Sequence, residues 1–474
     1  RSITKGAYDV LINKCSSYYY NGKQYPLSNK ERSRINAINK QMTEKALRVI
    51  AVAYKNLPSS GVKDKAEELE KDLTFIGLIG MIDPPRDEVR EAVRICKQAG
   101  IKPVMITGDH ILTAKAIARD LGILTDKDEA ISGDLLNLMS DEELAKNIGK
   151  YSVFARVSPE HKVRIVKAFQ SRGEVVAMTG DGVNDAPALN AAYSGCAMGI
   201  TGTDVAKNAA DMILTDDNFA TIVAAVKEGR GIYENIRKAV HFLLSSNIGE
   251  ILTIFAAILF GLPTPLVAVQ LLWVNLVTDS LPAISLGVDP VDKDIMTKKP
   301  ISPSKGMFAD GLAFKIVFEG LMIGSLALLA FVVGYHYYDV PIIYESLTGN
   351  IINDVPESYI PYVGRTMCFT VLSLSQLFHA FNMRSEHSIS EIGLFSNMKL
   401  VYSFIICSIL QISVITIPYL ANVFQVVPLT LRQWAFVLFL SFVPIIVVEI
   451  QKLFNKARKS HNQSHSKKIS EDNL

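Results

Sequence analysis

Near residue 239 the solvent this chain is written for changes, because beyond that point it breaks into apolar runs separated by short polar loops. A hydrocarbon core of roughly 30 Å needs about 20 helical residues to cross it. Six runs reach that length, near 239–260, 265–287, 312–335, 363–382, 400–421 and 432–451, so six transmembrane helices are expected. Only the turn around GLPTP separates the first two, which should form a tight hairpin. Lys293, Lys298, Lys299, Lys305, Arg384, Lys399 and Lys452 collect in one set of loops and after the last run. The stretch 336–361 instead holds Asp339, Glu345, Asp354 and Glu357 and no Lys or Arg. The bias of positive charge toward cytosolic loops places the basic loops and both ends of the chain in the cytosol.

Polar side chains inside such helices are costly and normally face a protein interior or a water-filled path. Here they cluster. Asn247 and Glu250 in SSNIGEIL are three apart and share a helix face, and Asn275, Thr278 and Asp279 in LLWVNLVTDSLPA repeat the spacing. Pro282 follows within a turn, weakens the backbone ladder and can free carbonyl oxygens as ligands. Oxygen donors without sulfur or imidazole suit a hard cation, and six to eight of them suit calcium. Lys315, Glu319, Arg365, Arg432 and Glu449 lie near expected helix ends, where snorkelling explains them, and His379 reads as a packed or interfacial histidine.

The 474 residues are too many for one core, and the part before residue 239 reads as α/β. From about 73 to 217 short apolar strands alternate with amphipathic helices, the pattern of a doubly wound parallel sheet. The strand candidates are FIGLIGMI, PVMIT, SVFARV, VVAMT, CAMGI and MILT. Several end in acids or hydroxyls: Asp83, Thr107 with Asp109, and Asp181 with Asp185. Ligands of open α/β sheets bind outside the carboxyl ends of the strands, so these groups should share a crevice. In TGDGVNDAPAL the glycines allow a tight turn that offers Asp181 and Asp185 as a carboxylate pair suited to Mg2+ and a phosphate. Lys162 could place a positive charge on the same phosphoryl group, with Thr107 and the amide of Gly108 adding hydrogen bonds.

Residues 1–72 read as the remnant of a separate α/β domain, in which Lys5 and Arg48 are either surface cations or ligands and the Glu/Lys cluster 63–72 is a solvated helix face. The balance of 49 Lys plus Arg against 47 Asp plus Glu supplies no field for nucleic acid. Five scattered cysteines read as ordinary thiols in a reducing cytosol. The opening RSITKGAYDV lacks an initiator Met and a signal peptide's apolar core, so the start reads as cut from something larger. The tail after residue 452 is polar and expected to be disordered, its basic part touching anionic headgroups. No proline interrupts Asn218–Leu259, which can form one long helix with Gly229 and Gly231 as candidate flex points.

The segments KGA, DPPR (83–86), MITGDH (105–110), FARVSPEHK (154–162), MTGDGVNDAPAL (178–189) and VQLLWVNLVTDSLPA (269–283) resemble those of P-type cation-transporting ATPases, most closely the calcium-pump branch. The resemblance implies the remnant of a nucleotide-binding domain (1–72), a haloacid-dehalogenase-like phosphorylation domain (73–238), six transmembrane helices (239–452) and a polar cytosolic tail (453–474). It further implies that Lys5 and Arg48 line the ATP pocket and that Asp109 and Arg156 close over the nucleotide. Thr107 and Lys162 would hold the phosphoryl group, Asp181 and Asp185 would organise Mg2+, and Asn247, Glu250, Asn275, Thr278 and Asp279 would bind the transported cation. Gln376 stands where two-site calcium pumps carry an acid, so one Ca2+ per cycle is as plausible as two.

No DKTGT or TGES segment occurs, so this stretch alone is expected to be inactive. The implied whole is a multi-pass, plasma-membrane, ATP-driven Ca2+ pump with the lipid bilayer, ATP and Ca2+ as its partners and protein partners unidentified. A pump for Mn2+ or a monovalent cation, and a membrane-anchored nucleotide binder without catalysis, remain open alternatives.

Overall fold

A computed structural model describes residues 1–45, 47–57, 69–81, 86–339 and 360–471, with side chains through Arg458 except that of Arg48. Asp83, most of the 63–72 cluster, Glu345, Asp354 and Glu357 therefore lie outside the described residues. The chain divides into two compact units, Arg1–Val226 with Met296–Pro303, and Lys227–Ile295 with Ser304–Leu474.

In the first unit, β1 (Ser2–Gly6), β2 (Cys15–Tyr20), β3 (Lys23–Pro26), β4 (Arg48–Lys55) and β5 (Leu73–Met81) form one sheet in the order β1-β4-β5-β2-β3. Asn21 and Gly22 both have positive φ, the backbone twist that closes a two-residue hairpin between β2 and β3. The strand FIGLIGMI was expected to open the parallel sheet. It is instead β5, antiparallel to β4 and parallel to β2, with Leu73 and Phe75 in a core shared with Leu11, Cys15, Ala51 and Ala53. An apolar run shows that a strand is buried without showing which sheet buries it.

The remaining strands are β6 (Met105–Thr107), β7 (Glu129–Ser132), β8 (Tyr151–Ala155), β9 (Ala177–Gly180), β10 (Ser194–Met198) and β11 (Met212–Leu214). Every pair among them is parallel, in two three-stranded sets, β6-β8-β7 and β9-β10-β11. Only β7, the short and half-polar EAIS, was not anticipated. Ile106 of β6 packs against the cores on both sides, one containing Phe154 and Ile165, the other Met178 and Leu189.

Among the described residues six long helices build the second unit: α1 (Phe219–Leu259), α2 (Ala268–Gly287), α3 (Leu312–Asp339), α4 (Tyr362–Asn382), α5 (Met398–Thr416) and α6 (Leu431–Glu471). α1 begins in the first unit and continues unbroken for 41 residues, roughly 60 Å of helix. Among the described residues five helices, not the expected six, are long and apolar enough to cross a membrane: α1, α2, α3, α5 and α6. α4 falls short because it carries Arg365, Thr366, Thr370, Ser373, Gln376, His379 and Asn382, and it can do so because 18 of its 21 residues are buried against protein.

The run expected at 400–421 breaks before Pro418, which starts a separate short helix, Pro418–Phe424. The tail is not disordered through its described length: α6 runs on to Glu471, with no glycine or proline after Pro444 to stop it. Snorkelling fails for two residues. Glu319 is buried between His241 (2.6 Å) and His379 (3.2 Å), and Arg365 is buried with its guanidinium donating to Gln425 Oε1 and the Thr264 carbonyl. Asp339, read as a loop acid, is buried and accepts from the N–H groups of Val363 and Gly364 at the start of α4.

One carboxylate ties this unit together. Asp289, just past α2, accepts from Arg384 Nε (3.1 Å) and Asn397 Nδ2 (2.7 Å) on one oxygen and from Lys238 Nζ (3.2 Å) on the other. Its carbonyl accepts from Asn235 Nδ2 at 2.7 Å.

The two glycines of α1 separate cleanly. Neither breaks the helix; Gly229 is exposed with open space around its missing side chain, while Gly231 is buried where a Cβ would collide with Val291. Gly229→Ala should therefore stabilise the protein by roughly 0.5–1 kcal/mol, since helical glycine costs conformational entropy. Gly231→Ala should destabilise it. Thermal unfolding of the two variants in detergent measures the opposite signs, and equal shifts would contradict this packing.

Candidate functional site

In the first unit the site is built on the turn after β9. Gly180 is required there by close approach, because a Cβ would run into the Asp185 side chain. Asp185 is buried; one carboxylate oxygen accepts from Lys162 Nζ and the other from the backbone N–H groups of Asp181 (3.2 Å) and Gly182 (3.1 Å). Burial works to raise this carboxyl, but the Lys162 ammonium and the two N–H groups outweigh it and hold it below the ordinary carboxylate range. Asp181 is exposed at the tip of the turn.

Lys162 is placed by a firm helix start. Ser158 caps helix Pro159–Gln170 in a reciprocal box with His161, whose other ring nitrogen meets Asn137 Oδ1 at 2.7 Å. Sequence reasoning passed over Ser158 and His161, although a serine before a proline at the first helical position is a readable cap signal.

At the end of β6, Thr107 Oγ1 donates to Asp109 Oδ2 (3.2 Å) and accepts from the Asp109 N–H (3.1 Å), and Gly108 beside them is exposed. Arg156 donates its backbone N–H to the Asp109 carbonyl and pairs through its guanidinium with Asp9 at 3.2 Å. It holds a left-handed φ of 52°, unusual for a non-glycine residue and often a mark of a functional position. Lys5 is exposed on β1, and Arg48 opens β4 opposite Met81. Thus the structure joins Lys162, Asp181 and Asp185 in one cluster and Thr107, Asp109 and Arg156 in another, with Thr107 and Ala155 opposite each other at the ends of β6 and β8.

In the second unit the sequence-derived oxygens gather around a feature that periodicity did not reveal. Residues Val274–Asp279 of α2 wind as a π-helix, so Asn275, Thr278 and Asp279 all lie in that one widened turn. Asn275 Nδ2 donates to Glu250 Oε2 at 3.0 Å. Glu250 and Asp279 lie near each other, and the Gln376 amide lies beside Glu250. Ser246, not anticipated, directs its hydroxyl to Asp279 Oδ1 at 3.5 Å. Asn247 and Thr278 instead donate back to carbonyls of their own helices, those of Leu243 and Val274.

Glu250, Thr278, Asp279 and Gln376 are all buried. Among the described residues, Glu250 Oε1, Asp279 Oδ2 and both polar atoms of the Gln376 amide are buried without a hydrogen-bond partner. Two carboxylates with open oxygens in a protein interior are costly unless a cation fills them. No group of three or more His, Cys, Asp and Glu suited to a metal occurs among the described residues, so the donor set here is two carboxylates with neutral oxygens. That set fits a hard cation.

Residues 1–88 match the family profile described as P-type ATPase, cytoplasmic domain N, and residues 263–454 match that described as Cation transporting ATPase, C-terminus. The chain is 51% identical to Calcium-transporting ATPase 1 of Bacillus cereus over 456 residues, covering 96% of this chain and 51% of that protein. It is 47% identical to the Calcium-transporting ATPase of Bacillus subtilis over 446 residues, 94% of this chain and 48% of the relative. With Calcium-transporting ATPase type 2C member 1 of Bos taurus the identity is 40% over 456 residues, 96% and 44% of the two chains. The chain spans about half the length of the curated relatives it matches.

The lowered Asp185 carboxyl makes a pH test of the turn. A depressed folded value contributes stability that is complete above the ordinary carboxylate range and is lost as the pH falls through that folded value. Asp185→Asn should flatten the acid limb of a stability-against-pH curve measured by urea unfolding; an unchanged limb would show that the Lys162 pair contributes nothing.

Proposed function

Because the chain belongs to the P-type cation-transporting ATPases, we propose that it serves an ATP-driven pump that carries Ca2+ across a membrane through a phosphoenzyme cycle. The observation that carries this reading is the oxygen cluster of buried Glu250, Asp279 and Gln376 with half-buried Asn275, its unpartnered oxygens set among apolar helices. It suits an ion that must shed water and be released again, because amides and hydroxyls fill the coordination sphere without adding charge. Asn247 and Thr278 join it by turning away from their own helix carbonyls.

In the first unit, Asp181 is the carboxylate open to Mg2+, which when bound neutralises phosphate charge. Asp185 shapes the turn through its two backbone hydrogen bonds and orients Lys162. Lys162 and Thr107 steady the phosphoryl group, while Lys5, Arg48, Gly108, Asp109 and Arg156 receive ATP. The parallel strands β6–β11, two of which lead into Thr107 with Asp109 and into the turn of Asp181 and Asp185, belong to a haloacid-dehalogenase-like domain. The family match supports α4 as a sixth membrane crossing, enclosed by its neighbours, and the loop charges support a cytosolic first unit and tail in a plasma-membrane protein.

The test is radioactive calcium uptake driven by ATP into vesicles that carry the pump. Asp279→Asn should lower uptake at subsaturating calcium by at least about tenfold, equivalent to about 1.4 kcal/mol of cation affinity. Undiminished uptake would refute the cluster as the transport site.

A further inference from the structure

We propose that Cys407 is a positioning residue for the cation cluster, its thiol holding open the π-turn that presents Asn275, Thr278 and Asp279. The inference rests on the cation reading of that cluster. A π-turn is a local widening of an α-helix, and inside a membrane protein it persists only where the carbonyls it displaces find other donors. Pro282, in the helical stretch that follows the turn, has no N–H. Val277, five residues before it, and Thr278, four before it, therefore receive no backbone bond from that position.

Cys407 supplies a donor from a different helix. It lies on α5, is fully buried, and its thiol donates to the Val277 carbonyl at 3.4 Å. Other side-chain bonds to carbonyls of this turn come from within α2: Ser280 Oγ donates to Asn275 O at 3.0 Å and Thr278 Oγ1 to Val274 O at 2.9 Å. One turn further along α5, Gln411 Oε1 accepts from Trp273 Nε1 at 2.9 Å, so α5 grips α2 at and just before the widened turn. If the thiol is removed, the Val277 carbonyl regains a donor most simply when the turn closes to α-helical register. Closing it to α-helical register turns the helix beyond the turn against the helix before it, which moves Asp279 relative to Glu250 on α1.

The experiment is calcium binding by the purified full chain in detergent, with three variants at this position. Cys407→Ser keeps a donor, Cys407→Val keeps an apolar side chain, slightly larger, without the donor, and Cys407→Ala removes both donor and bulk. The Val and Ala variants are expected to bind calcium roughly five- to tenfold more weakly, and the Ser variant within about twofold of the parent. A valine variant that binds as tightly as the parent would show that Cys407 acts by packing, and the proposal falls. So would a serine variant as weak as valine.

The infrared S–H stretch, isolated as the difference between parent and serine variant, reads the bond without any binding measurement. A band shifted from the free-thiol position is expected, and a free-thiol band overturns the assignment. A parent chain that binds no calcium overturns the cation reading itself, and the S–H band tells that failure apart from failure of the thiol bond.

Discussion

The second unit is organised around one buried anion. Asp289 holds Lys238 of α1, Arg384 beyond α4 and Asn397 before α5, and its own backbone carbonyl holds Asn235 of α1. Neither the carboxylate nor Arg384 is exposed enough for water to replace the other, so these partners are fixed as a set. The depth at which α1 carries Glu250 and α2 carries Asp279 is thereby referenced to a common point. It adds to the direct bonds between α1 and α2, from Asn275 to Glu250 and from Ser246 to Asp279, and an ion site needs its oxygens placed to fractions of an ångström.

The two polar clusters solve opposite problems. At the turn after β9 every carboxylate oxygen of Asp185 is occupied, by Lys162 and by two N–H groups, so the group is rigid, while Asp181 beside it is exposed. In the membrane unit, oxygens of Glu250, Asp279 and Gln376 are left open. A saturated network holds shape; an unsaturated one holds capacity. The proposed pump needs the first where a phosphate must be aligned and the second where an ion must come and go.

Much of this was readable from residues alone, and the exceptions share a cause. Glu250, Asn275 and Asp279 could be picked out because polar oxygens at helical spacing in apolar runs are rare, and the turn TGDGVND because glycines and acids in that order leave few conformations. The π-turn was hidden because its six residues carry no glycine or proline, only Pro282 beyond them, and its existence depends on partners from another helix. Glu319 and Arg365 were misjudged because distance from a helix end was taken for access to water, whereas His241, His379 and Gln425 enclose them. FIGLIGMI was given the wrong sheet because pairing partners are a property of the fold and not of the strand. His161 was missed because its work is to close a cap rather than to touch a ligand.

The enclosure of α4 bears on how such a protein is made. With 18 of 21 residues against protein, this helix has almost no apolar face to offer lipid, and its Arg365, Gln376 and His379 oppose entry into a bilayer on its own. Its entry into a bilayer is thus tied to the apolar helices that enclose it, which can settle in lipid where α4 by itself cannot.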